Sequence, residues 1–203
     1  MTDRQKVVSV IKGWVGAKHG DSTHKKILAI YNTHLPLAQG YKVKPTDADC
    51  MTTVSAAFIE AGLSDLIPTE CSCSRFVELA KKRGIWVERD DFYPGLGDII
   101  LYDWQDNGVG DNVGNPDHVG IVEKVIDDVI TVIEGNMGGM VGRRKIPING
   151  KNIRGYCTPK FATKENGNRA AVQSRFGFDN NTMAFLDKHP FPDALYLKLA
   201  TKG

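Results

Sequence analysis

The hydrophobic pattern changes its period near residue 97, and this change limits the possible fold more than any other feature of the sequence. Before it, apolar residues such as Val7, Val8 and Ile11 recur at helical spacing, in the first of four segments that glycines punctuate. After it come five short segments rich in valine and isoleucine: GDIILYDW, HVGIVEKV, VITVIEGN, VGRRKIPI and NIRGYCTP. We therefore predict an α+β fold, with N-terminal helices packed on an antiparallel sheet of about five strands.

Local signals indicate where the predicted helices begin. Ser22 or Thr23 is expected to cap the second helix, and Ser72 or Ser74 the fourth. Between them, the segment MTTVSAAFIEAG after Cys50 predicts a helix rich in small residues. Because small side chains allow a helix to lie close to its neighbours, this third helix is predicted to be the buried, central one.

The length of 203 residues suits one domain with a small addition. We assign residues 1–162 to a main domain. From about residue 163 the chain turns polar and then predicts two or three short helices. A segment of this size seldom folds alone, so residues 163–203 are expected to form a helical C-terminal appendage.

Composition and charge exclude some classes of function. The net charge of +2 is too small to indicate nucleic-acid binding. No apolar run reaches the ~18 residues of a membrane helix, and the first residues lack a signal-peptide pattern. We therefore expect synthesis in the cytoplasm, with delivery by other means if the substrate lies outside.

The four cysteines are expected to be free thiols, since a cytoplasmic chain of this size needs no disulfide. Cys50 lies at the predicted start of the third helix, after the capping candidates Thr46, Asp47 and Asp49. Unpaired N–H groups there lower the pKa of a thiol and can stabilise an oxyanion. The alternative is that Cys50 is only a small, buried apolar residue.

His118 and the segment around Glu134 supply partners for such a thiol. His118 opens one predicted strand, and Glu134 and Asn136 end the next. If Asp127 and Asp128 form a hairpin turn between these strands, His118 lies beside Glu134 or Asn136. A carboxylate or amide there can orient the imidazole of a thiol–imidazole pair.

Four motifs in order resemble the CHAP amidase/peptidase family. They are DADC at 47–50, PGLGDIILYDW at 94–104, DHVGIVEKV at 117–125 and VIEGN at 132–136, within a resemblance from about residue 13 to 160. The resemblance implies a papain-like α+β fold and cleavage of bacterial peptidoglycan, as an N-acetylmuramoyl-L-alanine amidase or an endopeptidase. The chain is also similar to the endolysins of phages and prophages of Gram-positive, clostridial-type bacteria.

The resemblance also implies roles for individual residues. Cys50 corresponds to the nucleophile and His118 to the base. Glu134 corresponds to the orienting residue, and Asn136 to a further polar residue of the site. Asp49 departs from the family pattern, which commonly has tryptophan before the cysteine. An acid beside the nucleophile opposes the thiolate, so Asp49 is expected either to cap the helix and point away or to reduce activity.

Two alternative functions stay open at this point. One is a weak or inactive cell-wall-binding module, which Asp49 favours. The other is a papain-like hydrolase of another amide substrate.

We expect no cofactor and no metal. Cys71 and Cys73 lack the second pair that zinc normally needs, and are interpreted as a turn at a helix start that lines the cleft. The acidic loop Asp103, Asp106, Asp111 and Asp117 does not match a calcium loop. The histidines other than His118 have no sequence neighbours that suggest catalysis: His19, His24, His34 and His189.

Overall fold

The computed structural model describes residues 1–89, 92–106 and 114–162. These form four α-helices followed by six strands, which confirms the predicted α+β class. The elements are α1 Asp3–Gly13, α2 Ser22–Thr33, α3 Cys50–Glu60, α4 Cys73–Lys82, β1 Trp86–Val87, β2 Ile99–Tyr102, β3 His118–Ile126, β4 Val129–Glu134, β5 Gly142–Pro147 and β6 Ile153–Cys157.

The helix starts follow ordinary capping chemistry, with one correction to the predicted residues. Ser72 accepts a hydrogen bond from the backbone N–H of Arg75 and caps α4, as one of the two predicted candidates. The cap of α2 is neither Ser22 nor Thr23 but Asp21, whose carboxylate accepts from the N–H of His24. A carboxylate also suits the positive end of the helix, which explains the shift by one residue.

Helix α3 is the central helix, as predicted. Nine of its residues are buried, and it contacts α1, α2 and strands β3 and β4. Its small side chains make this possible. Gly135, just after β4, has Thr53 of α3 so close that a Cβ at Gly135 would collide with it. The first turn of α3 is therefore held directly against the end of β4.

The sheet is antiparallel, with the strand order β1-β6-β2-β3-β4-β5. The five predicted strands are all present. The sixth, β1, has only two residues paired with β6, which is too short to give a periodic signal. Asp127 and Asp128 both have positive φ, at 50° and 58°. This is the geometry of a type I′ turn, so the predicted hairpin between β3 and β4 is confirmed.

Alternation along the strands divides the apolar residues between two faces. Ile99, Leu101 and Ile121 pack with the helices, whereas Ile100, Tyr102 and Val122 pack in a second cluster. Because successive strand residues point to opposite faces, this division follows from the sequence. Both faces are buried along β2, which explains its unbroken run of apolar residues.

Two predictions lie outside the described residues. These are the helical appendage at residues 163–203, together with the interpretation of His189 within it, and the acidic side chain of Asp111. Within the part of the chain that the structure covers, no helix combines the length and apolar character needed to cross a membrane.

Candidate active site

Cys50 is the first residue of α3 and is 6% exposed. The N–H groups in the first turn of a helix have no carbonyl partner within it and point towards the preceding chain. Their partial positive charge favours an anion at this position. The prediction that Cys50 lies at a helix start is therefore confirmed. This position holds the cysteine at the edge of the core rather than in its middle.

His118 and Glu134 face each other at one end of the β3–β4 hairpin. His118 is the first residue of β3 and Glu134 the last of β4, in a register that pairs Ile121 with Ile133. The Nε2 atom of His118 lies 3.0 Å from Oε2 of Glu134, and both side chains are buried. Nδ1 is then the ring nitrogen that remains for Cys50.

Gly120 makes room for this pair. A Cβ at Gly120 would lie 2.7 Å from Cγ of Glu134 and 2.8 Å from the carbonyl oxygen of Ile133. Those distances are shorter than any normal carbon contact. The glycine in the sequence DHVGIV therefore allows the side chain of Glu134 to cross β3 towards His118.

The pKa shifts of Cys50 and His118 favour an ion pair between them. A hydrogen bond from Cys73 is the largest cause that lowers the pKa of Cys50 to about 5, with burial opposing it and His118 adding to it. Burial lowers the pKa of His118, but its interactions with Cys50 and Glu134 outweigh burial and raise it to about 9. Between these two values the pair is a thiolate and an imidazolium.

Arg144 holds the other side of Glu134, and the sequence did not reveal it. Its Nε lies 2.8 Å and 3.0 Å from the two carboxylate oxygens. Burial raises the pKa of Glu134, but the hydrogen bonds from His118 and Arg144 outweigh burial and keep the pKa below its usual value. In the sequence, Arg144 follows the surface residue Arg143 and looks equivalent to it. Only the strand register, which pairs Arg144 with Val132, shows that Arg144 and not Arg143 is placed to reach Glu134.

Aromatic rings form the outer wall of this cluster. Trp104 is 39% exposed; its ring stacks on Tyr102 at 4.9 Å and lies 5.8 Å from the ring of His118. The guanidinium of Arg144 lies over the Trp104 ring at 4.9 Å. Trp104 thus covers the imidazole from solvent and offers an exposed aromatic face beside it.

Asn136 is the one predicted site residue that the structure does not bring into this network. It lies two residues beyond β4, with a left-handed φ of 54°, and is half-buried. Its side chain makes no hydrogen bond with residues in the described ranges 1–89, 92–106 and 114–162. The choice between Glu134 and Asn136 that hairpin geometry left open is thus decided for Glu134.

Asp49 occupies the cap position of α3 without capping it, so the expected hydrogen bond to the helix start is absent. Its carboxylate is instead buried between two histidines. Oδ1 lies 3.0 Å from Nε2 of His19, and Oδ2 lies 3.4 Å from Nε2 of His24. Sequence neighbours did not indicate this contact, because residues 19 and 24 meet residue 49 only in the tertiary structure.

The trio of His19, His24 and Asp49 has metal-like spacing, with three ligand atoms within 4.8 Å of one another. The hydrogen bonding of His24 opposes this use. The backbone N–H of Gly20 donates to its Nδ1 at 2.9 Å, so a neutral His24 carries its proton on Nε2. That nitrogen lies near Asp49 without a hydrogen bond to it, and while it carries a proton it does not bind a metal. The trio is better described as a carboxylate held by two imidazoles.

Cys73 lies at a helix start, as predicted, but the sequence did not reveal its contact with Cys50. It is the first residue of α4, and its Sγ lies 3.9 Å from Sγ of Cys50. The starts of two helices therefore meet at the two sulfur atoms. Cys71, only two residues earlier, packs elsewhere, beside Tyr31 and Val43.

Comparison with known proteins gives one family. The family model described as "CHAP domain" matches residues 39–136. That segment includes α3, the β3–β4 hairpin and therefore Cys50, His118 and Glu134. No match is found among the curated proteins.

Two solved structures are similar over 77% of this chain. One is the crystal structure of Ly7917 with the hydrolyzing product of MDP, at 17% identity and a TM-score of 0.44. The other is the crystal structure of Ly7917, at 18% identity and a TM-score of 0.38. This chain spans 62% of their length. The ordered motifs and the family match thus agree that residues 39–136 of this protein are similar to the CHAP domain.

Proposed function

We propose that this protein is a peptidoglycan hydrolase that cleaves an amide bond with Cys50 as its nucleophile. The observation that carries the proposal is the chain of interactions from Cys50 through His118 to Glu134. A thiol at a helix start with a lowered pKa, beside an imidazole held by a buried carboxylate, is the arrangement that nucleophilic amide hydrolysis needs. The CHAP family match supports peptidoglycan as the substrate class.

The first step of the proposed mechanism begins from the ion pair. The thiolate of Cys50 attacks the amide carbonyl carbon, and the N–H groups at the start of α3 stabilise the oxyanion that forms. At neutral pH His118 already carries its proton and Cys50 has already lost its own. No proton transfer between them therefore precedes the attack. His118 serves first as the acid that protonates the leaving amine.

The second step releases the acyl group. Neutral His118 then takes a proton from water, which attacks the thioester and restores the thiolate and the imidazolium. Glu134 keeps Nδ1 of the ring directed at the sulfur throughout, because it holds Nε2, and Arg144 keeps Glu134 ionised. Asn136 is proposed as a further polar residue at the rim, acting on the substrate rather than on His118.

The remaining parts of the proposal concern the whole protein. We propose that residues 1–162 form the catalytic unit and that residues 163–203 are a separate appendage. The protein acts on the cell wall after release or delivery, in the manner of an endolysin. The bond cleaved is either the N-acetylmuramoyl-L-alanine amide or a peptide bond of the stem or cross-bridge.

The test is digestion of purified sacculi by the full chain. We expect loss of turbidity and new amine termini, and mass spectrometry of the released fragments identifies the bond. Cys50→Ala and His118→Ala should abolish both signals, whereas Cys157→Ser should keep them. Full activity of the first two variants would refute the mechanism. Cleavage of casein but not of sacculi would instead favour a papain-like hydrolase of another amide substrate.

An inactive wall-binding module is the other outcome of the same test. In that case sacculi would bind the chain without being cleaved, and Cys50 would show no unusual reactivity towards a thiol reagent. The buried ion pair argues against this outcome. Asp49, the residue that favoured it, is held by His19 and His24 and does not reach the sulfur through a hydrogen bond.

A further inference from the structure

We propose that Cys50 and Cys73 form a redox-active thiol pair that closes to a reversible disulfide when the protein meets a hydroperoxide. Disulfide formation itself does not depend on hydrolysis. Only its consequence, that oxidation switches the hydrolase off, rests on the proposed function.

The geometry brings the two sulfur atoms into van der Waals contact. They lie 3.9 Å apart, and each belongs to the first residue of a helix. A disulfide has an S–S length of about 2.05 Å. Closing the remaining gap requires rotation of two short side chains at helix starts, where no preceding turn of the same helix blocks them.

The two thiols differ in the way that such chemistry requires. One is a nucleophile and the other keeps its proton: the pKa of Cys50 is lowered, whereas that of Cys73 is raised by its hydrogen bond with Cys50, by burial and by the charges of Cys50 and Asp117. A thiolate beside a protonated thiol reacts first with an oxidant, and its neighbour then resolves the product.

The proposed reaction takes place in two balanced steps. The thiolate of Cys50 attacks one oxygen of hydrogen peroxide, the O–O bond breaks, and sulfenic acid forms while hydroxide leaves. The hydroxide takes the proton of Cys73 and becomes water. The Cys73 thiolate then attacks the Cys50 sulfur, the S–O bond breaks, and the hydroxide that leaves is protonated from solvent. In total the pair gives two electrons to the peroxide.

The other two thiols are poorly placed for this reaction. Cys157 is buried in β6, where burial raises the pKa of its thiol. Cys71 packs in the small cluster with Tyr31 and Val43. The pairing is therefore specific for Cys73, and Cys71, two residues away, is its matched control.

The test measures thiols directly on the full chain. The reduced protein is treated with stoichiometric hydrogen peroxide, denatured, and labelled with N-ethylmaleimide. We expect two of the four thiols to be lost, a non-reduced digest to link the Cys50 and Cys73 peptides, and dithiothreitol to return both thiols. Cys71→Ser should still form this link.

Removal of Cys73 should change the product at Cys50. With an excess of hydrogen peroxide, Cys50 of Cys73→Ser, and of Cys73→Ala as a second variant, should consume a second equivalent and advance from sulfenic to sulfinic acid, which dithiothreitol does not reduce. Three results would overturn the proposal: sulfinic acid in the wild type without a link, a link that involves Cys71, or reversible oxidation of Cys50 in both Cys73 variants. The wild-type peptide map needs no variant to fold, and a correct link without lysis of sacculi would contradict only the proposed function.

Discussion

Removing the imidazole of His118 should move the pH at which Cys50 becomes reactive. In the wild type the pKa of Cys50 is about 5, against 9.0 for an ordinary thiol. The hydrogen bond from Cys73 is its largest cause, and the hydrogen bond and charge of His118 come after the opposing effect of burial. His118→Ala removes the imidazole contributions and leaves burial opposed by the hydrogen bond from Cys73, so the midpoint should rise from about 5 part of the way towards the ordinary value.

The size of the effect depends on the pH of the assay. At about pH 6, roughly nine-tenths of a thiol with the lowered pKa is thiolate, against ~0.001 of an ordinary one, a ratio of ~1000. A thiolate of lower pKa is also less nucleophilic, by about 40- to 100-fold for a shift of this size. The upper limit is therefore a wild type that reacts about 10- to 20-fold faster at this pH. At about pH 8 the difference in thiolate fraction falls to roughly tenfold, which is smaller than the difference in nucleophilicity. At this limit the variant therefore reacts faster than the wild type.

The assay is the rate of alkylation of Cys50 by iodoacetamide, followed by peptide mass spectrometry across the pH range. Its midpoint does not depend on nucleophilicity. His34→Ala is the matched control, because it removes a histidine at the end of α2, away from the site, and should leave the profile unchanged. A wild-type midpoint near that of free cysteine would refute the ion pair. A midpoint near 5 in His118→Ala would show that the imidazole does not stabilise the thiolate.

The remaining predictions concern the support of the pair. Arg144→Gln should lower kcat by roughly 10- to 100-fold, because Glu134 loses the cation that keeps it ionised and aligned. The control Arg143→Gln breaks only an exposed pair with Glu123 and should leave kcat unchanged. Equal losses of kcat in both variants would contradict the role of Arg144. Gly120→Ala should cost about 1–3 kcal/mol of unfolding free energy in urea denaturation, since its Cβ meets Glu134. Gly13→Ala, with open space around it, should change stability by less than about 1 kcal/mol. Finally, kcat/KM on solubilised peptidoglycan should rise with pH through about 5 as the thiolate forms, and fall through about 9 as the imidazolium is lost; a single rise near pH 9 would exclude a preformed pair.

Much of the fold follows from local patterns, because these act over a few residues. The period of the apolar residues separates helices from strands, and Asp127 and Asp128 give the turn of the β3–β4 hairpin. That hairpin in turn brings His118 to Glu134, since two strands joined by a tight turn have only one register. The helix start at Cys50 also follows from sequence. These are all contacts within one element or between neighbouring elements.

The rest of the site was decided by contacts between elements that are distant in the chain. Cys73 meets Cys50 because the starts of α3 and α4 come together. His24 in α2, and His19 just before α2, reach Asp49 because α2 packs against α3. Arg144 reaches Glu134 through the pairing of β4 with β5. Neither the position of a cysteine or histidine in the chain nor its neighbours in sequence records how the helices pack. The sequence by itself therefore determined the helix start at Cys50 and the hairpin that brings His118 to the segment with Glu134 and Asn136. Only the tertiary structure decided which charges and thiols surround them, because side-chain packing fixes those distances.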